Sequence, residues 1–252
     1  MTLSGRTRLV AAVGAVVALT ITAPAPAGAA KVGPVKPSVG QCRSLSMAEA
    51  SAASDASSPT GCSRAHNDRV IAVPNLPNGV SYADLNTAAK VNTVAVKLCY
   101  PAYRRALGQN DKVRDATAYT YLYFVPTAKQ RSNGARWLRC DLTLRHASRL
   151  GNLPTDHEPA LTHSKVSANV KRCLTGKSLV TTSCTLRHRY RAAGAVKVAI
   201  KKYPGRKAMV KIGRSRCPKI VTTDADFRFT WQGKTVWNVA HDHALVCYNR
   251  NG

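Results

Sequence analysis

Alternating apolar and polar positions pick out the strands of this chain. Leu138, Cys140, Leu142 and Leu144 alternate with Trp137, Arg139, Asp141 and Thr143, the period of a half-buried strand. Val196, Val198 and Ile200 alternate with Lys197, Ala199 and Lys201 in the same way. Phe227, Phe229 and Trp231 share a face, and Gln232-Gly233 reads as the turn that follows. Residues 119–125, YTYLYFV, are apolar or aromatic on both faces and read as a central strand. Elsewhere the spacing lengthens to three and four. Leu85, Ala89, Asn92, Val96, Cys99 and Tyr103 form one helix face, with Ser81-x-x-Asp84 ahead of it as a capping box. Pro101 is expected to end or kink that helix. Pro204 can open a second helix, which runs through Met209 and Ile212 to Cys217 and is weakened by Gly205 and Gly213. Strand, helix, strand, strand in each half predicts an α+β fold of two small disulfide-stapled domains, each a mostly antiparallel sheet with one helix.

One apolar run stands outside this pattern. Leu9 to Ala23 follows Arg6 and Arg8 and precedes the small residues of PAPAGAAK, so residues 1–30 read as a signal peptide cut after Ala29 or Ala30. The run is shorter than the roughly 20 residues a spanning helix needs. Residues 31–37 are a short linker. The eight cysteines all come later: Cys42, Cys62, Cys99, Cys140, Cys173, Cys184, Cys217 and Cys247. An even count in an exported chain reads as disulfides, since that compartment lets them persist.

The cysteines also suggest an internal duplication. Cys42 and Cys173 open the halves; Cys62 and Cys184 start the motifs CSRAH and CTLRH; Cys99 and Cys217 are closely followed by proline; Cys140 and Cys247 close strand-like segments. The boundaries that follow are a first repeat at 38–149, a polar, proline-containing linker at 150–166 and a divergent second repeat at 167–252. Duplication leaves three pairings in each half, and the sequential one is expected: Cys42–Cys62, Cys99–Cys140, Cys173–Cys184 and Cys217–Cys247.

The same residues carry a family resemblance. VGQC at 39–42, CSRAH, a helix ending in cysteine, and YFVPTAKQRSNGARWLRC resemble the septum formation family of actinobacterial envelope proteins. The resemblance is closest over residues 38–149. Gln41 stands where the family has aspartate, and Gln130 where it has tryptophan, a place that Trp237 keeps in the second half. Gly134 keeps a family glycine whose counterpart is His241. The resemblance implies exported, disulfide-bonded envelope domains concerned with septation or wall growth. It supplies no catalytic residue.

Charge narrows the partners. The chain has 38 Lys+Arg against 12 Asp+Glu, and removal of Arg6 and Arg8 leaves 36 against 12, or +24. Such a field attracts polyanions. Arg187, Arg189, Arg191, Lys201, Lys202, Arg206, Lys207 and Lys211 crowd the second half, with Tyr190 and Tyr203 interleaved as stacking candidates. The expected partners are anionic envelope polymers or envelope proteins, then an anionic membrane surface, with nucleic acid ranked below them because no nucleic-acid motif is present. A zinc site at either C-x3-H is disfavoured by the lack of further paired ligands. A cysteine committed to a disulfide cannot serve as a nucleophile. His241 and His243 would share a face if extended, as would Asp224 and Asp226, but neither pair has the partners that a metal or glycosidase site needs. No cofactor, catalytic residue or metal ligand is assigned. The reading is a non-catalytic, exported envelope binding or scaffold protein, with a secreted envelope hydrolase as the alternative.

Overall fold

Both halves build an antiparallel sheet of five strands, and one strand order runs through both. The computed structural model describes residues 35–108, 110–155, 166–222 and 226–251. The signal segment and residues 156–165 lie outside them. The first half contains β1 (Cys42–Arg43), α1 (Met47–Ser51), β2 (Asp68–Ala72), α2 (Ala88–Leu107), α3 (Asp111–Asp115), β3 (Tyr119–Phe124), α4 (Ala128–Ser132), β4 (Arg139–His146) and β5 (Arg149–Gly151). The second contains β6 (Arg172–Thr175), β7 (Val180–Ser183), β8 (Tyr190–Lys197), α5 (Arg206–Arg216), β9 (Arg228–Trp231), a π-helical turn (Val236–Ala240) and β10 (Ala244–Arg250). The strand orders are β1-β2-β4-β3 and β7-β6-β8-β10-β9, with β5 paired to β4. Without β5 and β7, the two paths coincide strand for strand.

Each sheet packs a helix on one face. α2 lays Val96, Tyr100, Tyr103 and Leu107 against Leu142, Leu144 and Tyr119. α5 contributes Met209 to a cluster with Val198, Trp237 and Leu245. The disulfides are Cys42–Cys62, Cys99–Cys140, Cys173–Cys184 and Cys217–Cys247, the sequential pairs. Two of them pin a helix to its sheet, and two tie the first strand of each half to the C-x3-H turn.

The halves interlock. The described residues of both halves form one compact unit. Arg172 N–H donates to Ala116 O at 2.8 Å and Ala118 N–H to Val170 O at 2.7 Å. Val236 and Val239 of the π-helical turn pack on the first half's core. The segment expected as a linker is structured at its start, where β5 forms and Leu153 is buried, because the hairpin from β4 continues through Arg149.

Several elements differ from their sequence pattern. Ser81 and Asp84 do bond, Ser81 Oγ donating to Asp84 Oδ2 at 2.7 Å, but they close a turn. α2 starts later, capped by Thr87, whose hydroxyl accepts from Lys90 N–H at 3.3 Å. Pro101 sits inside α2, which continues to Leu107. The carbonyl its ring leaves unbonded belongs to exposed Lys97, where water can serve it. β3 is an edge strand paired only with β4; Tyr121 and Tyr123 are half-covered, while Tyr119 and Phe124 at its ends are buried. β8 stops at Lys197, so the Val198–Ile200 alternation lies beyond it. β4 is buried on both faces: Arg139, Asp141 and Thr143 are as enclosed as Cys140 and Leu142.

Candidate functional site

The two C-x3-H turns do the same structural job. His66 Nδ1–H donates to Arg64 O at 2.8 Å and His188 Nδ1–H to Leu186 O at 2.6 Å, each two residues back. Each histidine thus closes the turn that its cysteine staples. Ligand atoms of Cys173, Cys184 and His188 lie within 4.8 Å of one another, yet both sulfurs are joined in the disulfide and offer no thiolate.

The buried polar face of β4 was not anticipated. Arg139 donates from Nη2 to Asp55 Oδ2 at 2.6 Å and from Nε to Asp141 Oδ2 at 2.7 Å, with its guanidinium 4.4 Å over the Phe124 ring. Arg43 donates from Nε to Ser57 O at 3.2 Å and from Nη2 to Gln41 Oε1 at 3.1 Å. The β1–β2 register sets Arg43 beside Asp68, and the β2–β4 register sets Asp68 opposite Thr143, next on that face to Asp141. Burial pushes the Asp68 carboxyl up to about 9, and the neighbouring Asp141 charge adds to this. Asp141 is pushed up to about 6 by burial, against the pull of Arg139 and Arg43. Burial also acts on Asp55, but hydrogen bonds from Arg139 and Ser57 outweigh it and hold Asp55 below the usual carboxylate range. Asp68 therefore keeps its proton at neutral pH and donates it toward Asp141. The cluster then holds two arginines and two carboxylates, a neutral sum that makes its burial tolerable. The sequence signal for it was Arg139-x-Asp141, charges two apart on one strand face.

A second buried cluster joins the halves. Tyr100 OH donates to Asp242, and Arg114 Nη2 donates to Tyr100 OH at 3.4 Å. Arg114 also pairs with Asp111 at 2.8 Å and reaches Asp242 at 4.0 Å. Asp115 is pushed up to about 7 by burial and then by the Asp242 charge. Asp242 is thus a structural anchor. His241 is left-handed at φ 53°, and His243 stacks on Trp237 at 4.9 Å, so the two histidines share no strand face. Asp226 accepts from Tyr190 OH at 3.0 Å and pairs with Arg228 and Arg250; Asp224 lies outside the described residues.

The basic residues singled out by sequence are all exposed. The structure divides them. Lys207 and Lys211 lie one turn apart on α5, and Lys211 lines a shallow cleft with Ile200 and Arg216. Arg191 lines another cleft, with Lys171 and Arg250, which the sequence did not flag. Tyr190 is buried beneath Arg228, and Tyr203 stacks edge-on to Trp237, so neither ring is an open platform. Five of the 12 acidic residues (Asp55, Asp68, Asp115, Asp141 and Asp242) are buried, which leaves the surface more basic than the composition suggests.

Two antiparallel sheets, each with a disulfide-pinned helix, define a cystine-stabilised α+β protein suited to an extracellular or envelope setting. Among the described residues, no helix is long and apolar enough to cross a membrane. The family model described as Septum formation matches residues 40–242, across both halves, and the chain belongs to that family. No curated protein and no solved structure matches the chain.

Proposed function

We propose that the protein is a non-catalytic binding or scaffold component of the cell envelope, linked to septation, that engages anionic polymers through its second half. The observation that carries this reading is the start of α5. Arg206 and Lys207 occupy its first turn, no acidic residue is there, and Gly205 gives no side-chain cap. Cations at a helix N-terminus oppose the helix dipole by about 0.3–1 kcal/mol each. Neither cation makes an ion pair among the described residues, whereas an anionic partner would meet both the cations and the uncapped N–H groups. The carboxylates that titrate near neutrality support the non-catalytic reading, because Asp141 and Asp115 are buried and paired with Arg139 and Arg114, away from solvent.

The test is binding of the full secreted chain to purified anionic wall polymer across a salt series. Binding should weaken steeply with salt through counterion release. Replacing Lys202, Arg206, Lys207 and Lys211 with glutamine should weaken it and flatten the slope. Salt-independent binding would remove the polyanion reading. Release of soluble fragments from the wall material would favour the hydrolase.

A further inference from the structure

Three neighbouring strand ends of the second sheet deliver one cation each to the same cleft. Lys171 precedes β6, Arg191 lies on β8 and Arg250 ends β10; Arg191 is in register with Cys173 on one side and Asn249 on the other. The cleft has a volume of about 640 Å³, within the range of ligand-binding clefts. Ala192 and Ala193 keep its floor low, and His188 and Asn251 add polar groups to its wall. Arg250 is held by Asp226 at 3.0 Å, so its charge is partly answered. Lys171 and Arg191 have no ion-pair partner among the described residues. Burial, and then the Arg191 charge, hold the Lys171 ammonium below its usual range. Two like charges sharing a cleft without a counter-ion among the described residues raise its energy, and a bound anion would relieve that.

The shape of the site narrows the anion. No Phe, Tyr or Trp ring lines the cleft, and its one imidazole, His188, is tied to Leu186 O, so it offers a nucleobase little stacking surface. A concave site also fits a single chain better than a flat headgroup surface. We infer that this cleft holds a phosphodiester-linked polyol chain, with Lys171 and Arg191 gripping one phosphate and Asn251 within reach of a flanking hydroxyl. This rests on the anionic-polymer reading above and assigns it a selective site. The α5 cations supply general attraction, and the cleft supplies the choice among anions. The first half offers no such site, since its register equivalents of Lys171 and Arg250 are Gly40 and Thr143.

The experiment measures binding of the full chain to three probes at matched salt: a synthetic oligo(glycerol phosphate), single-stranded DNA of equal charge, and phosphatidylglycerol vesicles. Lys171→Gln with Arg191→Gln should lower affinity for the oligo(glycerol phosphate) about tenfold, while DNA and vesicle binding fall less than about threefold. The salt slope for the oligomer should drop by about 0.7 for each phosphate that is no longer gripped. Lys207→Gln with Lys211→Gln should lower binding to all three probes alike. Arg191→Lys with Lys171 left in place should retain most of the affinity, and an unchanged melting midpoint excludes misfolding. Equal losses across the probes for the cleft pair, or tighter wild-type binding to DNA or vesicles than to the oligomer, overturns the cleft and leaves the polyanion reading standing. A wild-type chain that binds none of the probes at low salt overturns both.

Discussion

The two sheets share a register and differ in what they bury. With Cys140 aligned on Cys247 and Cys42 on Cys173, Arg43, Asp68, Arg139 and Asp141 of the first half fall on Leu174, Tyr190, Val246 and Tyr248 of the second. One set is a buried charge cluster and the other an apolar core. The backbone pairing is the same, so strand order does not decide the chemistry of this face. The cover decides it. The first sheet is covered by its own chain from Leu45 to Thr60, tied down by Cys42–Cys62, and that segment brings the Asp55 carboxylate and the Ser57 carbonyl to meet the two arginines. The second sheet is covered in part by the first half, where Ala116, just after α3, packs against the cluster that holds Leu174, Tyr190, Val246 and Tyr248. The segment from Leu45 to Thr60 supplies the polar partners of the first face, and Ala116 supplies part of the apolar cover of the second.

Breaking the charge cluster should have the largest effect. Arg139→Leu strands Asp55 and Asp141 without their main partner, and loss of one member of a buried ion pair costs about 3–5 kcal/mol. The matched change Val246→Leu removes no charge and should cost far less, about 1–3 kcal/mol through overpacking. Urea denaturation of the two variants measures the contrast; equal costs would mean that the cluster carries no special energy.

The next effect is one of pH. Asp68 has a folded value of about 9, above the usual unfolded carboxylate value of about 3.9, so the native state holds a proton that the unfolded chain releases. Its contribution is complete below about pH 4 and is lost as pH rises through about 9, with a slope of at most about 1.4 kcal/mol per pH unit. Asp68→Asn supplies a permanent donor toward Asp141. It should change stability little at pH 4 and stabilise the protein progressively above that, by up to about 5 kcal/mol near pH 8 at the full slope. Tyr190→Phe, the matched change in the second half, should leave the slope between about pH 7 and 9 unchanged, its effect on Asp226 being confined to acid pH. Denaturation midpoints between about pH 7 and 9, above the range in which Asp141 and Asp115 titrate, decide this, and a wild-type slope in that window that survives Asp68→Asn would assign the proton elsewhere.

Helix packing gives a smaller contrast. Gly213 of α5 matches Ala95 of α2, each four residues before its disulfide cysteine. A Cβ on Gly213 would lie 2.3 Å from the Phe229 ring, whereas Ala95 is fully buried without such a neighbour. Gly213→Ala should therefore destabilise by about 1–2 kcal/mol despite the gain in helix propensity, and Ala95→Gly by about 1 kcal/mol. Thermal unfolding reads both.

What the sequence disclosed and what it hid follow from the same comparison. Cysteine order and residue spacing marked the two sheets, their helices and the disulfide partners, because those signals are local or periodic. The buried face of β4 was hidden because Arg139, Asp141 and Thr143 look like a solvent face in an alternating strand. Only a covering segment more than 80 residues earlier, which places Asp55 against Arg139, turns that face inward. The cleft was half visible: Arg191 stood in a basic run, but Lys171 and Arg250 reach it only through the pairing of β6, β8 and β10. The Val198–Ile200 alternation misled because β8 ends at Lys197, where the chain leaves the sheet toward α5.

The smallest predicted effect concerns one turn used twice. Gly134 stands six residues before Cys140 and His241 six before Cys247, and both have left-handed backbones, at φ 87° and 53°. The first half fills the turn with the residue that suits it, and the second retains the turn with a histidine. A side chain in this region costs about 1–2 kcal/mol, whereas glycine gives back about 0.5–1 kcal/mol through the greater freedom of the unfolded chain. His241→Gly should therefore stabilise the protein by about 0.5 kcal/mol, and Gly134→Ala should destabilise it by about 1 kcal/mol. Chemical denaturation of the two variants in parallel reads the difference. If His241→Gly instead loses stability, the imidazole offsets its backbone strain through packing, with the His243 ring 6.2 Å away as its neighbour.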